Sequence, residues 1–438
     1  MKKLFKYPLI FLGLLLIFIF LLFISSLFPS SIIEKNIKES SKILTKEGNL
    51  YQFFDWSHIV NNNYTDVLMI NEAYSIDYKN PLYSCLSVRK NYNENITKNS
   101  LTDQNGDSVS LNNAEDYDPV GELAEFLDGN IDTSVTYARY WHGYLPILRT
   151  LLIFFNISEI RIILLIVFIF LFIWLLKLIK DKIGLLKTGI FAISLILYSY
   201  FLVSYSLESA PVFLVMMISS IILLKRIDKI KNLYLFIFIT ACITNYVDYL
   251  TVPLITLAIP LILYITYKQK KSSDLQCKDF IKIIIKSSLI WILGYGFTWF
   301  SKWIIYDILY NENIINTAIS QVIYRTENSV SYKTAKISEV IGSFVLNNII
   351  YCVIIGNFCL FLFLLNMGKY KIKLQNKKDY FNMSLPILLI ALMPIVWYIV
   401  LSNHTIIHTR FTYRHMLIFM ICILIAWKNM CVIEKKNK

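Results

Sequence analysis

Apolar runs too long for a helix of a water-soluble domain dominate this chain. Residues 7–29 read YPLIFLGLLLIFIFLLFISSLFP, and no charge separates Lys6 from Glu34. Residues 159–177 read EIRIILLIVFIFLFIWLLK. A membrane span needs ~20 mainly apolar residues, because only a helix satisfies its own backbone in hydrocarbon. Runs of this length repeat along the 438 residues, and we read about ten: 7–29, 159–177, 188–207, 209–224, 233–249, 251–267, 283–303, 340–366, 382–402 and 411–427. The expected fold is an all-α polytopic membrane protein with a large first extracytoplasmic loop. It divides into a first transmembrane helix (1–29), an extracytoplasmic region with interfacial helices (30–158), a multi-helix transmembrane domain (159–427) and a basic tail (428–438). The first run is longer than a signal-peptide core and no small-x-small cleavage site follows in SSLFPSS, so an uncleaved anchor is expected.

Composition agrees. Hydrophobic residues make up 56% and charged residues only 17%, with 13 Gly and 10 Pro, which excludes a disordered, collagen-like or disulfide-scaffold chain. The net charge of +13 would suggest nucleic acid in a soluble protein. Here 26 of the 43 basic residues fall in alternate short connections, at 2–6, 177–187, 225–231, 268–286, 369–378 and 428–438. That alternation places both termini in the cytoplasm and reads as topology, not as a nucleic-acid surface. The Lys-, Ile- and Asn-rich usage indicates an AT-rich bacterial genome, hence a bacterial cytoplasmic membrane. No Walker motif, GxSxG elbow, HExxH zinc motif or CxxC pair is present. No cofactor is expected, and no metal: His404 and His408 would be two ligands without a third.

Charges near the outer ends of spans are costly and mark candidate function. In NNNYTDVLMINEAYSID, Asp66 follows Thr65 and precedes an apolar run, where a carboxylate could deprotonate an acceptor hydroxyl. Asp55, Glu72 and Asp77 are neighbouring acids of the same loop. Its end, ARYWHGYLPILRTLL, carries His142 and Arg149, and its Tyr140, Trp141 and Tyr144 are expected at headgroup level. Glu208 falls between the third and fourth expected spans. Asp248 sits in a connection too short and apolar for a solvated loop, so it needs a cation or ligand, and Lys302 is the expected partner. The segment SNHTIIHTRFTYRHM sets His404 and His408 four apart and repeats the spacing with Arg410 and Arg414. Four such donors on one helical face would suit a phosphate, since Arg offers a planar fork to two oxygens.

Four runs resemble a family of Gram-positive membrane proteins associated with surface-polysaccharide genes: ARYWHGYLPILRTLL at 138–152, TNYVDYLTVPLITLAIPL at 244–261, GYGFTWFSKW at 294–303 and WYIVLSNHTIIHTRFTYR at 397–414. None is a signature of known chemistry. The architecture in turn resembles the C-type (GT-C) membrane glycosyltransferases. These have many spans and a catalytic Asp or Glu in a large first outer loop, and take a polyprenyl-phosphate sugar as donor. The resemblance implies a transferase that passes a sugar to a cell-surface glycan, with Asp66 in the catalytic position. Glu72, His142, Arg149, Asp248, Lys302, His404, His408, Arg410 and Arg414 would bind substrate. The alternatives are a transporter or flippase for lipid-linked sugars, which would call for two similar halves, and a polysaccharide polymerase, whose large loop usually falls later in the chain.

Overall fold

The computed structural model describes residues 6–53, 60–92, 118–131, 133–271, 275–327, 336–365 and 370–435. Asp55 lies outside the described residues. Among the described residues six helices are long and apolar enough to cross a membrane: Lys6–Ser26, Ile157–Lys182, Cys277–Tyr310, Ile337–Phe358, Lys377–Val400 and Thr409–Asn429. The chain is thus a helical, multi-pass membrane protein. The other four expected spans are shorter helices, Leu185–Leu197, Ala210–Arg226, Leu233–Val247 and Ile255–Lys271.

The first helix, α1 (Lys6–Ser26), is apolar all round, and Leu9, Leu16 and Phe20 point outward. Leu15, Phe18, Leu22 and Ser25 recur at three- and four-residue steps and form its one buried stripe. The region that follows is a folded body. It contains α2 (Glu34–Glu47), α3 (Asn63–Tyr74), α4 (Pro81–Ser87), α5 (Pro119–Leu127) and α6 (Leu145–Phe154). Two antiparallel pairs brace it: β1 (Leu50–Gln52) with β2 (Val60–Asn62), and β3 (Arg89–Asn91) with β4 (Ser134–Thr136). Its apolar side chains share one core with α1: Ile37, Leu44, Ile70, Leu86 and Leu148 pack with Phe18 and Leu22.

Next comes α7 (Ile157–Lys182), which opens on a reciprocal cap in which Asn156 takes the Glu159 N–H and Glu159 takes the Asn156 N–H. Lys180 and Lys182 close it, as the helix dipole favours. The short helices α8 (Leu185–Leu197), α9 (Ala210–Arg226), α10 (Leu233–Val247) and α11 (Ile255–Lys271) follow. All but one of the first 13 side chains of α11 are buried, so it fills the bundle centre and meets little lipid. At 34 residues, α12 (Cys277–Tyr310) is ~51 Å long, against ~30 Å of hydrocarbon. It overshoots the core and carries Trp299, Trp303 and Tyr306 to the body built on α2–α6. It is followed by α13 (Ile314–Thr326), α14 (Ile337–Leu365), α15 (Lys377–Ala391), α16 (Met393–Val400), α17 (Ser402–Ile407), α18 (Thr409–Thr412) and α19 (Met416–Asn429).

The opposite end is basic. There Asp228 accepts from Lys182 at 2.9 Å and Lys271 at 2.7 Å, tying α7 to α11. The expected tail is partly structured: β6 (Cys431–Lys435) pairs antiparallel with β5 (Tyr370–Leu374).

Candidate functional site

Asp66 is fully buried in the first turn of α3. Asn62 caps that turn by accepting the Tyr64 N–H, and β1–β2 fixes where the helix begins. One carboxylate oxygen accepts the backbone N–H of Glu208 at 3.2 Å. The other lies 3.8 Å from the Arg161 guanidinium and has no hydrogen-bond partner among the described residues. Arg161 is itself held elsewhere, by Glu47 at 2.6 Å and the Tyr205 carbonyl at 3.1 Å. Burial pushes the Asp66 carboxyl up to about 6, although Arg161 and the Glu208 N–H oppose the shift. Glu208 is buried as well, taking the Thr65 hydroxyl at 3.1 Å. Burial and then the Asp66 charge push it up to about 8, while Thr65 and Arg414 pull the other way.

Arg414, from the start of the last long helix, donates to the Ser209 hydroxyl at 3.2 Å. Its Nε has no partner among the described residues. Since Ser209 follows Glu208, which holds Asp66, the first-loop acid and the last-helix arginine are joined through two consecutive residues. Arg410, one turn before Arg414, is exposed and lines a cavity of ≈ 400 Å³ with Tyr198, Asn347, Asn348 and Tyr413.

Other expected site residues go elsewhere. His404, His408, Arg410 and Arg414 do not share one face, because the chain turns at His408 and tightens into a 3-10 turn at Tyr413–His415. The rings of His404 and His408 do meet, 4.7 Å apart. His404 gives one ring N–H to the Leu250 carbonyl at 2.9 Å and accepts from Arg325 at the other nitrogen. Lys302 does not meet Asp248; it donates to the Leu86 carbonyl and lies over the Trp141 and Tyr306 rings. Asp248 takes the N–H and hydroxyl of Thr251 at 2.8 Å and the Tyr295 hydroxyl at 2.9 Å, so hydrogen bonds replace the expected cation. Arg149 is committed to the backbone carbonyls of Ser25, Phe28 and Ala73, which ties α6 to the end of α1 and to α3. Tyr140, Trp141 and Tyr144 are buried within the protein, so their rings pack on protein and not on lipid headgroups: the Trp141 indole donates to the Thr298 carbonyl at 2.6 Å.

A second polar cluster forms in the last turn of α3. Glu72 accepts from the Tyr144 and Tyr249 hydroxyls and faces His142 Nδ1 at 3.2 Å. The other ring nitrogen of His142 bonds the Tyr137 carbonyl at 2.8 Å, which only accepts, so its hydrogen sits there. Burial and the Glu72 charge keep the Tyr144 phenol protonated. His142 adopts a left-handed backbone (φ 56°). Gly143 then packs so closely on α10 that an added Cβ would lie 2.3 Å from the Tyr246 ring. Among the described residues no group of three His, Cys, Asp or Glu side chains could hold a metal ion.

The sequence reading passed over Arg161, Arg139, Arg325 and Tyr249. They make contacts that local pattern does not encode. Comparison with known protein families, curated proteins and solved structures finds no match to this chain.

Proposed function

We propose that this chain is a membrane glycosyltransferase of GT-C-like architecture. It moves a sugar from a polyprenyl-phosphate donor to a cell-surface glycan on the outer face of a bacterial cytoplasmic membrane, with both termini inside. The observation that carries this reading is the link from Asp66 through Glu208 and Ser209 to Arg414, beside the cavity that Arg410 lines. In the ionised form Asp66 takes the proton of the acceptor hydroxyl. The acceptor oxygen bonds to the anomeric carbon, and the carbon–oxygen bond to phosphate breaks with its electron pair leaving on the lipid phosphate. Arg410 and Arg414 stabilise that anion.

The test is transfer from a labelled lipid-linked sugar by Asp66→Asn and Arg410→Ala proteins that still insert in the membrane. Loss of a general base lowers the rate about 100- to 10,000-fold. Unchanged transfer in both variants overturns the assignment.

A flippase or transporter is the second reading. It is favoured by one observation, that two buried acids, Asp66 and Glu208, lie side by side, with the Glu208 N–H on the Asp66 carboxylate. Proton-coupled movement of a lipid-linked sugar across vesicles, without glycosidic bond formation, selects it.

A further inference from the structure

A cavity of ≈ 480 Å³ opens on the body built on α2–α6, at the end of α3 opposite Asp66. That volume falls within the ~300–1,000 Å³ of small-molecule sites. Its lining comes from the end of α3 and the turn after it, from β3, β4 and α5, and from the connection that leaves α1. Hydrogen bonds hold these walls in place. Asn71 of α3 donates from its side chain to the Asn91 carbonyl of β3 at 2.9 Å and accepts the Asn91 N–H at 2.9 Å. The Ser30 hydroxyl donates to the Ile76 carbonyl at 3.0 Å, fixing the connection after α1 on the turn after α3. The Asp77 N–H donates to the Ser84 hydroxyl at 2.8 Å. A site held by its own frame loses little freedom when it is filled.

The lining joins one cation, one anion and open aromatic faces. The Arg89 guanidinium donates to the Ser134 hydroxyl at 3.3 Å and lies 5.9 Å from the Tyr83 ring centroid. The Asp77 carboxylate accepts the Lys79 N–H at 2.9 Å and the Asn80 amide at 3.3 Å, one at each oxygen. Among the described residues neither Arg89 nor Asp77 forms an ion pair, with each other or with a third group. Tyr78 is 47% exposed. Tyr74 and Phe126 meet edge to face at 5.6 Å and are each only half-buried, so ring surface stays open to the cavity. A hydroxyl both gives and accepts, so a polyol answers a guanidinium and a carboxylate together. An anion would meet Asp77, and a cation would meet Arg89. Flat ring faces take the C–H face of a saturated ring out of water.

We propose that this cavity binds an uncharged sugar unit, with Arg89 and Asp77 on its hydroxyls and Tyr74, Tyr78 and Phe126 along its ring. Tyr74 stands eight residues from Asp66, ~12 Å along α3, so the unit held here is not the one that reacts. The site rests on the transferase reading and deepens it: the acceptor is a polymer, recognised through a neutral sugar at a distance from the hydroxyl that attacks.

The full-length protein in phosphatidylglycerol nanodiscs is mixed with the methyl glycosides of glucose, galactose, rhamnose and N-acetylglucosamine, and separately with glucuronate and phosphocholine. Saturation transfer from protein to ligand protons measures binding. At least one neutral glycoside binds, more tightly than glucuronate and phosphocholine. Tyr78→Ala and Asp77→Asn each weaken that binding about 10-fold or more. Both side chains are exposed, and asparagine still accepts the Lys79 N–H, so both variants keep the fold. Binding of none of the four glycosides overturns the proposal, as does unchanged binding in either variant. Tighter binding of glucuronate or of phosphocholine than of every glycoside also overturns it, and assigns the cavity to an acidic sugar or to a lipid headgroup. No step of this test requires sugar transfer. Failure here therefore leaves the Asp66 assignment standing, and failure of that assignment leaves the binding result intact.

Discussion

Asp66 and Glu208 meet in a dry site where two negative charges are costly, so folding raises the proton affinity of both. The unfolded chain releases those protons near pH 4 and the folded protein keeps them longer. Stability from this pair is therefore fully present below about pH 4. It is lost as pH rises, through about 6 for Asp66 and about 8 for Glu208. Thermal unfolding in detergent should show the melting temperature falling across that window, and Glu208→Gln should flatten its upper half and leave only the Asp66 part of the fall below about pH 6. A melting temperature that climbs between pH 5 and 8, or a Glu208→Gln profile identical to the parent, contradicts this account. Transfer by the proposed base should instead rise with pH through about 6, as Asp66 ionises. Asp66 and Arg414 were legible because a charge inside an apolar stretch stands out against its neighbours. Their association was not: the Asp66–Glu208 contact spans 142 residues, and spacing carries no signal over that range.

At the level of single elements, α6 shows how tightly the body built on α2–α6 is fastened. Gly143 sits where a methyl group would strike the Tyr246 ring and carbonyl, so Gly143→Ala should cost about 1–3 kcal/mol. Arg149→Met should cost more, because each buried carbonyl left without a donor costs about 1–3 kcal/mol. Chemical denaturation of both variants checks the order; an Arg149→Met protein as stable as the parent would mean that the carbonyls find other donors. Arg149 illustrates a limit of sequence reading. An arginine in an apolar run advertises that it is buried, but not whether ligand or backbone receives it. The same holds for Asp248, whose short connection announced a buried acid while its partners, Thr251 and Tyr295, were neutral.

Over the whole molecule, the order of apolar segments and the alternation of basic connections were readable because both are local sums. Depth in the bundle was not. The helices α8 to α11 have the composition of spans, yet they are 13–17 residues long, and α11 fills the centre. Reporter fusions at Lys231, Lys271 and Lys378 should read as cytoplasmic, and one at Asn311 as external. A cytoplasmic signal at Asn311 would break the alternation and invert the proposed orientation. The region 30–158 was read as a polar loop with interfacial helices, but its apolar residues build a core with α1. One of its helices ties two sites together. Asp66 and Glu72 are six residues apart on α3, ~9 Å along one stiff rod, and each is anchored to different parts of the bundle. Whatever tugs on one anchorage is felt at the other without a hinge between them. Paired substitutions at the two ends should accordingly fail to add, although neither residue touches the other.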